Sequence, residues 1–323
     1  MSHDDEDPSL LVVVLDASTP FWLRREIARN RQDKRPPTLQ ETVEGLLIFL
    51  ESYLMMHRQN ELCVVACSDL GSRVLFPTAM MEAQGRSLST GSVGTRELHS
   101  SIQDGLLAMT REEAQKGEGM QTGPAGPNPP AAVAGGLALA AALSRGLCYI
   151  NRKLQEESRL QARLLVLQGS RDAPERYNSV MNAIFSAQKA SVLVDCYTLS
   201  EQHSIFLQQA AYLTGGVYLR CAEKGLAQYL LTTFLPSQSC RKYLKLAKQQ
   251  TVDFRAACFC HRKVVEIAYV CSVCLSVFCE FSPECAMCGT RAWPKKLKTG
   301  GGGKQAVAAR GGGKTRSTGN GSG

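Results

Sequence analysis

Residues 9–16, Ser-Leu-Leu-Val-Val-Val-Leu-Asp, form a nearly unbroken apolar run that ends in an acid. A strand covered on both faces reads this way, so the run predicts a central strand of a mostly parallel sheet. Thr38 and Glu41 then have the spacing of a capping box. Leu39, Val43, Leu46, Leu47, Leu50 and Leu54 follow at helical intervals. Residues 61–68 read as a second strand and 73–76 as a short third, joined by the hairpin-like turn Asp69-Leu-Gly-Ser. An amphipathic helix is expected over 95–114, carrying Leu98, Ile102, Leu106 and Met109, and a long helix over 131–157. Three more strands, at 164–167, 192–196 and 216–219, alternate with helices at 174–189, 201–213 and 225–234.

Strands alternating with helices imply crossover units. The expected fold class is therefore α/β: a doubly wound, mostly parallel six-stranded sheet over 9–236, with a mobile Gly/Pro-rich insertion near 116–130. No glycine fingerprint follows the first strand and no phosphate-binding Gly-x4-Gly-Lys-Ser/Thr loop occurs, so the sequence gives no support to dinucleotide binding or nucleotide hydrolysis. No apolar run reaches the roughly 18–20 residues that span a bilayer, and residues 1–8 are acidic where a targeting leader would be basic. Together these predict a reducing compartment in which disulfides do not persist.

Charge and cysteine change the picture only when read by position. The chain of 323 residues has a formal charge of +8, but residues 294–323 hold seven basic residues and no acid. Without that Gly/Lys-rich tail, Lys+Arg falls from 37 to 30 against 29 Asp+Glu. The folded part is thus nearly neutral, and the tail is expected to be disordered, with at most a weak contact to DNA. Of thirteen cysteines, six are scattered (Cys63, Cys67, Cys148, Cys196, Cys221, Cys240) and read as buried thiols. Seven crowd into residues 258–288.

Within that crowd, Cys271-Ser-Val-Cys274, ten residues, then Cys285-Ala-Met-Cys288 is the spacing of a four-thiolate zinc site. Two knuckles closing on one tetrahedral ion leave no position for water, so the site is expected to be structural. Cys258, Cys260, His261 and Cys279 are left over, either as packing residues or as a second, weaker ligand set. Eight ligands and two ions would resemble a RING-like cross-brace and open the alternative of a ubiquitin-ligase scaffold. The zinc module is placed at 258–293 and a connecting segment at 237–257.

Asp16-x-Ser18 after a buried first strand resembles the von Willebrand A fold, whose Asp-x-Ser-x-Ser loop helps to hold a divalent cation. Pro20 stands at the third position, the helix start after residue 131 offers no hydroxyl, and only Asp172 suggests a further ligand. Asp16 and Ser18 are therefore expected to bond to loop backbone. The alternative is a cation-dependent ligand-binding protein using Asp16, Ser18 and Asp172. The histidines (His3, His57, His99, His203, His261) form no recognisable acid–base or nucleophile set, so no enzyme is expected.

The degraded cation loop, the segment Arg255-Ala-Ala-Cys-Phe-Cys-His-Arg262, the segment Tyr269-Val-Cys-Ser-Val-Cys-Leu-Ser-Val-Phe-Cys279, Phe234-Leu-Pro236 and Ser186-Ala-Gln-Lys189 together resemble one family. It is the subunit 3 family of general transcription factor IIH (TFIIH). The resemblance implies a nuclear, non-catalytic subunit of the TFIIH core, acting in nucleotide excision repair and RNA polymerase II initiation. It also implies the larger von Willebrand A subunit as chief partner among the other core subunits. Structural Zn²⁺ would sit on Cys271, Cys274, Cys285 and Cys288.

Overall fold

The computed structural model describes residues 8–29, 36–79, 81, 94–118, 137–157, 159–173, 176–220, 225–245, 252, 258, 260–261, 265–273, 276–286 and 288–291. The chain divides into two compact units, residues 1–255 and 256–323. The first unit is built on a six-stranded sheet in the order β3-β2-β1-β4-β5-β6. Its strands are β1 (Ser9–Asp16), β2 (Glu61–Cys67), β3 (Ser72–Phe76), β4 (Gln161–Gln168), β5 (Leu193–Thr198) and β6 (Tyr218–Arg220). All pairs are parallel except β2 with β3, the hairpin that closes one edge.

The apolar run of β1 lies where its pattern places it, between β2 and β4. Val12 is opposite Cys63 on one side and Leu164 on the other, and Leu10 through Leu15 are buried. The helices are α1 (Thr19–Arg29), α2 (Leu39–Met56), α3 (Thr95–Glu118), α4 (Leu139–Glu156), α5 (Tyr177–Lys189), α6 (Ile205–Thr214), α7 (Leu226–Tyr229) and α8 (Gln238–Arg241). A π-helical turn, Leu230–Phe234, continues α7. The chain runs from β1 outward to β2, and later from β4 to β5 to β6 in the other direction. Right-handed crossovers therefore put the connecting helices on opposite faces. In agreement, α4, α5 and α6 pack in succession, while α2 packs against α7 and its π turn.

The capping box at α2 forms as its spacing predicts. Glu41 N donates to Thr38 Oγ1 at 3.2 Å, and Thr38 N donates to Glu41 Oε2 at 3.0 Å. Leu98, Ile102, Leu106 and Met109 are buried on α3, as expected. Other boundaries move. The helix expected from residue 131 begins at Leu139, residues 137–138 being non-helical and 131–136 lying outside the described residues. The helix expected from 201 begins at Ile205, where Ser204 caps it by accepting from Leu207 N at 3.2 Å. Helix α1 has no counterpart in the apolar pattern, because it buries one aromatic and one cation, Trp22 and Arg25.

The segment leaving the sheet is tied down by buried charge. Arg163 on β4 donates to the carbonyls of Phe234 (2.6 Å), Pro236 (3.0 Å) and Leu235 (3.2 Å), the acceptors a helix end leaves without internal partners. Arg241 on α8 forks onto Asp195 of β5 at 2.8 and 2.6 Å, and Val217 N donates to the same carboxylate at 2.9 Å. Burial pulls the Arg163 pKa below its ordinary value, and nearby Asp195 acts against that shift.

The scattered cysteines are not all buried, contrary to expectation. Cys63, Cys67 and Cys196 lie on central strands and are fully covered, which pushes the Cys67 and Cys196 thiols well up. Cys148 on α4 and Cys240 on α8 are exposed, because each falls on the outer side of its helix. Cys221 and most of the 116–130 insertion lie outside the described residues, as does the 294–323 tail.

Candidate metal centre

Two places in the chain have the residue types of a cation site. The first is the tip of β1. Asp16 lies where strand order reverses between β1 and β4, the crevice in which α/β sheets commonly bind ligands. Here its carboxylate is engaged by backbone. Oδ1 accepts from Ser18 N at 3.0 Å, and Oδ2 accepts from Gly169 N at 2.9 Å and Ser170 N at 2.6 Å. Burial raises the Asp16 pKa, and these hydrogen bonds act against the rise.

The neighbours of Asp16 are similarly occupied. Ser18 Oγ donates to Asp69 at 3.3 Å. Asp172 accepts from Ser204 Oγ at 2.6 Å, Phe206 N at 3.1 Å and Gln168 Nε2 at 3.1 Å, and so anchors the start of α6. Pro20 sits in the first turn of α1, and Trp22 Nε1 on that helix donates to the Asp16 carbonyl at 2.9 Å. The Phe21 ring packs so closely on Gly169 that a Cβ there would meet it at 2.1 Å. Asp16 thus bonds to loop backbone, as the sequence suggested, whereas the Ser18 hydroxyl goes to the Asp69 side chain and Asp172 serves a different element.

The second place is the cysteine-rich unit. Its backbone frame is a short antiparallel hairpin, β7 (Tyr269–Val270) and β8 (Val277–Phe278), with Tyr269 opposite Phe278 and Val270 opposite Val277. Cys271 follows β7 at the turn end, where its N donates to Ser276 O at 2.9 Å. A second tight turn spans 285–290. In it Gly289 N donates to Cys285 O at 2.8 Å and Cys285 N donates to Thr290 O at 3.0 Å. Gly289 has φ 68°, a left-handed conformation that side chains disfavour, so glycine fits the position directly after Cys288.

These turns bring Cys271, Cys285 and Cys288 together, with ligand atoms all within 4.8 Å of one another. Cys271 Sγ and Cys288 Sγ are 3.8 Å apart. Thiolates at about 2.3 Å from one tetrahedral ion are separated by about 3.8 Å, so this spacing suits a metal. Cys274, the fourth member of the sequence-predicted set, lies outside the described residues.

The structure also gathers residues that the sequence left unassigned. Cys258, Cys260, His261 and Cys279 bring their ligand atoms within 4.8 Å of one another. Cys260 Sγ lies 3.3 Å and His261 Nδ1 3.0 Å from Cys279 Sγ. Cys260 and His261 are exposed, which does not suit packing residues. The Cys260 thiol foremost pushes the Cys279 thiol up to about 12. Soft sulfur donors with an imidazole, in sets of tetrahedral size, are the chemistry of a metal-binding module.

A six-stranded, mostly parallel sheet with an aspartate at the tip of its first strand defines a von Willebrand A-like domain, here followed by a module able to bind metal. The family model described as Transcription factor Tfb4 matches residues 8–289, and the chain belongs to that family. General transcription factor IIH subunit 3 of Dictyostelium discoideum is 38% identical over 259 residues, covering 77% of this chain and 67% of that protein. The general transcription and DNA repair factor IIH subunit TFB4 of Arabidopsis thaliana is 36% identical, covering 90% of this chain and 91% of that protein. Its Schizosaccharomyces pombe counterpart, tfb4, is 34% identical over 93% of this chain and 95% of its own length. The solved TFIIH p34 N-terminal domain superimposes with a TM-score of 0.54 at 23% identity, over 71% of this chain and 98% of that one, and so shares the fold.

Proposed function

We propose that the chain is a non-catalytic structural subunit of the TFIIH core, acting in nucleotide excision repair and RNA polymerase II initiation. It does so in the nucleus by binding other core subunits, chiefly the larger von Willebrand A subunit. The observation that carries this reading is the family match, which runs through both the sheet domain and the cysteine module. The hydrogen bonds around Asp16 support a scaffold over a cation-dependent ligand binder, since its carboxylate is already serving three backbone donors. Among the described residues no helix is long and apolar enough to cross a membrane.

The domain limits we propose are 9–236 for the sheet domain, 237–257 for a connector and 258–293 for the module. Structural Zn²⁺ is assigned to Cys271, Cys274, Cys285 and Cys288. Bound there, the ion would act as a cross-link between the hairpin turn and the 285–290 turn, with no position open for chemistry. Affinity purification of the tagged chain from nuclear extract, with mass spectrometry, tests the assembly. Recovery of TFIIH core subunits, with the larger von Willebrand A subunit prominent, is expected. Recovery of none of them would overturn the reading.

A further inference from the structure

We infer that the module binds two zinc ions, the second held by Cys258, Cys260, His261 and Cys279. The inference extends the proposed four-cysteine site, and each can fail without the other.

The geometry of the second set is that of a coordination shell. Its four ligand atoms are mutually within 4.8 Å, with contacts of 3.3 Å (Cys260 Sγ to Cys279 Sγ) and 3.0 Å (His261 Nδ1 to Cys279 Sγ). Sulfur and nitrogen ligands on one tetrahedral zinc stand about 3.5–3.8 Å apart, so an ion at the centre needs only small adjustments. Cys258 is buried and Cys279 half-buried, but burial does not account for the other two members of the set. Cys260 and His261 are exposed, and the unit's buried apolar cluster consists of Cys271, Phe278 and Cys285. Two exposed side chains nonetheless meet Cys279 from 19 and 18 residues away along the chain.

The hairpin shows why two ions are needed. Cys271 sits beside Ser276 at the turn end, whereas Cys279 follows β8 at the opposite end. Three residues of strand separate Cys279 from the position facing Cys271, about 10 Å at 3.4 Å per residue. That is too far for the two cysteines to share an ion. One hairpin thus delivers one ligand to each of two sites. Along the chain the sets interleave: 258, 260 and 261 belong to the second set, 271 and 274 to the four-cysteine set, 279 to the second, and 285 and 288 to the four-cysteine set. Each ion therefore closes a loop that contains ligands of its neighbour, a cross-brace in which one site helps to pre-form the other.

The test is metal counting on the full chain, expressed with zinc and purified under reducing conditions, by native mass spectrometry. Two zinc ions per chain are expected. Cys279→Ser and His261→Ala should each reduce the count to one, while His261→Cys should keep two. Cys285→Ser should instead remove the four-cysteine ion. One ion per chain, unaffected by Cys279→Ser and lost in Cys285→Ser, would overturn the second site and leave the four-cysteine site standing. No tightly bound zinc would overturn both.

Because interleaved sites can fall together in a variant, X-ray absorption at the zinc edge of the unaltered chain gives an independent decision. Seven sulfur ligands and one nitrogen over two ions are expected. A pure sulfur shell would exclude His261 and sink the proposed set.

Discussion

The sheet domain and the cysteine module solve the same problem by different means. In the domain, β1 alone contributes six consecutive buried aliphatic residues, Leu10 to Leu15, and layers of helix residues cover both faces. Burial on that scale, at about 25 cal/mol per Å² of apolar surface, carries a fold without a metal. In the module, the buried apolar cluster is Cys271, Phe278 and Cys285, and two of those three are candidate metal ligands. Ile267, Tyr269, Val270 and Val273 remain exposed. A chain segment this short offsets little of its ordering entropy through burial, and on the proposed zinc assignment metal bonds replace the core. The domain uses cysteine as a small hydrophobe, at Cys63 and Cys196, whereas the proposed zinc sites would use it as a thiolate.

Metal removal is the largest lever on that contrast. Structural zinc contributes roughly 10–16 kcal/mol of apparent binding free energy, which in so small a unit is folding free energy. Stripping the full chain with a strong chelator should collapse the amide resonances of residues 265–291 into the unfolded range while those of β1, β2 and β4 keep their dispersion. Retained dispersion in the module would show that it has a core of its own.

The next largest effect should come from the domain's one described buried ion pair of this kind, Arg241 with Asp195, whose side chains are 8% and 2% exposed. Removing Arg241 leaves the buried Asp195 carboxylate with only Val217 N and the nearby Arg163 charge to offset it, so Arg241→Ala should cost about 3 kcal/mol in chemical denaturation. The loss should appear in the domain transition with zinc content unchanged. A variant that lost zinc instead would join two regions that this comparison keeps apart.

Smaller again is Asp16→Ala, which also tests whether the domain is as independent of metal as the contrast requires. The substitution leaves the N–H groups of Ser18, Gly169 and Ser170 without their acceptor. Such groups cost about 1–3 kcal/mol each when they stay dry, and Ser170 lies close enough to the surface to recruit water. A loss of about 2 kcal/mol is expected, the same in Mg²⁺ and in EDTA. Stabilisation of the unaltered domain by Mg²⁺ that disappears in Asp16→Ala would restore the cation-dependent reading.

How much of this was legible in the sequence follows the range of the interactions. The unbroken run of β1 and the Thr38/Glu41 pair are local signals, and both elements formed as read. Helix α1 was not legible, since what it buries is Trp22 and Arg25, and the carbonyl that receives Arg25 belongs to Leu199, 174 residues away. Residues 137–138, expected within the helix, lie just outside it, because an alanine-rich run carries no period to mark a helix start. Nothing near Arg163, Asp195 or Arg241 announced a shared network, because topology alone brings them together. In the module, the ligand types were plain from spacing. Which residues fall into each set was also readable there; whether Cys258, Cys260, His261 and Cys279 pack or ligate was not, because that depends on the side chains meeting across 18 and 19 residues of chain.

The smallest effect gives the finest check on the comparison. In the α2 capping box, Thr38 Oγ1 accepts from Glu41 N and Glu41 Oε2 accepts from Thr38 N, so Thr38→Ala removes one of two reciprocal bonds. Glu41 also pairs with Arg29 at 3.0 Å, at a site open to solvent, and that contact should survive the change with little weight. Loss of an N-cap hydroxyl costs about 1 kcal/mol, and in a domain of this size that lowers the midpoint of thermal unfolding by about 2–4 °C. Thr38→Ser, which keeps the acceptor oxygen, should stay within about 0.5 kcal/mol of the unaltered chain. Helix α2 packs against β2, α7 and the π turn of the sheet domain, so the shift should appear in the domain's melting transition while metal release from the module keeps its own temperature. Equal shifts in both would mean that the module borrows stability from the domain, and the division between a burial-held region and a metal-held one would have to be redrawn.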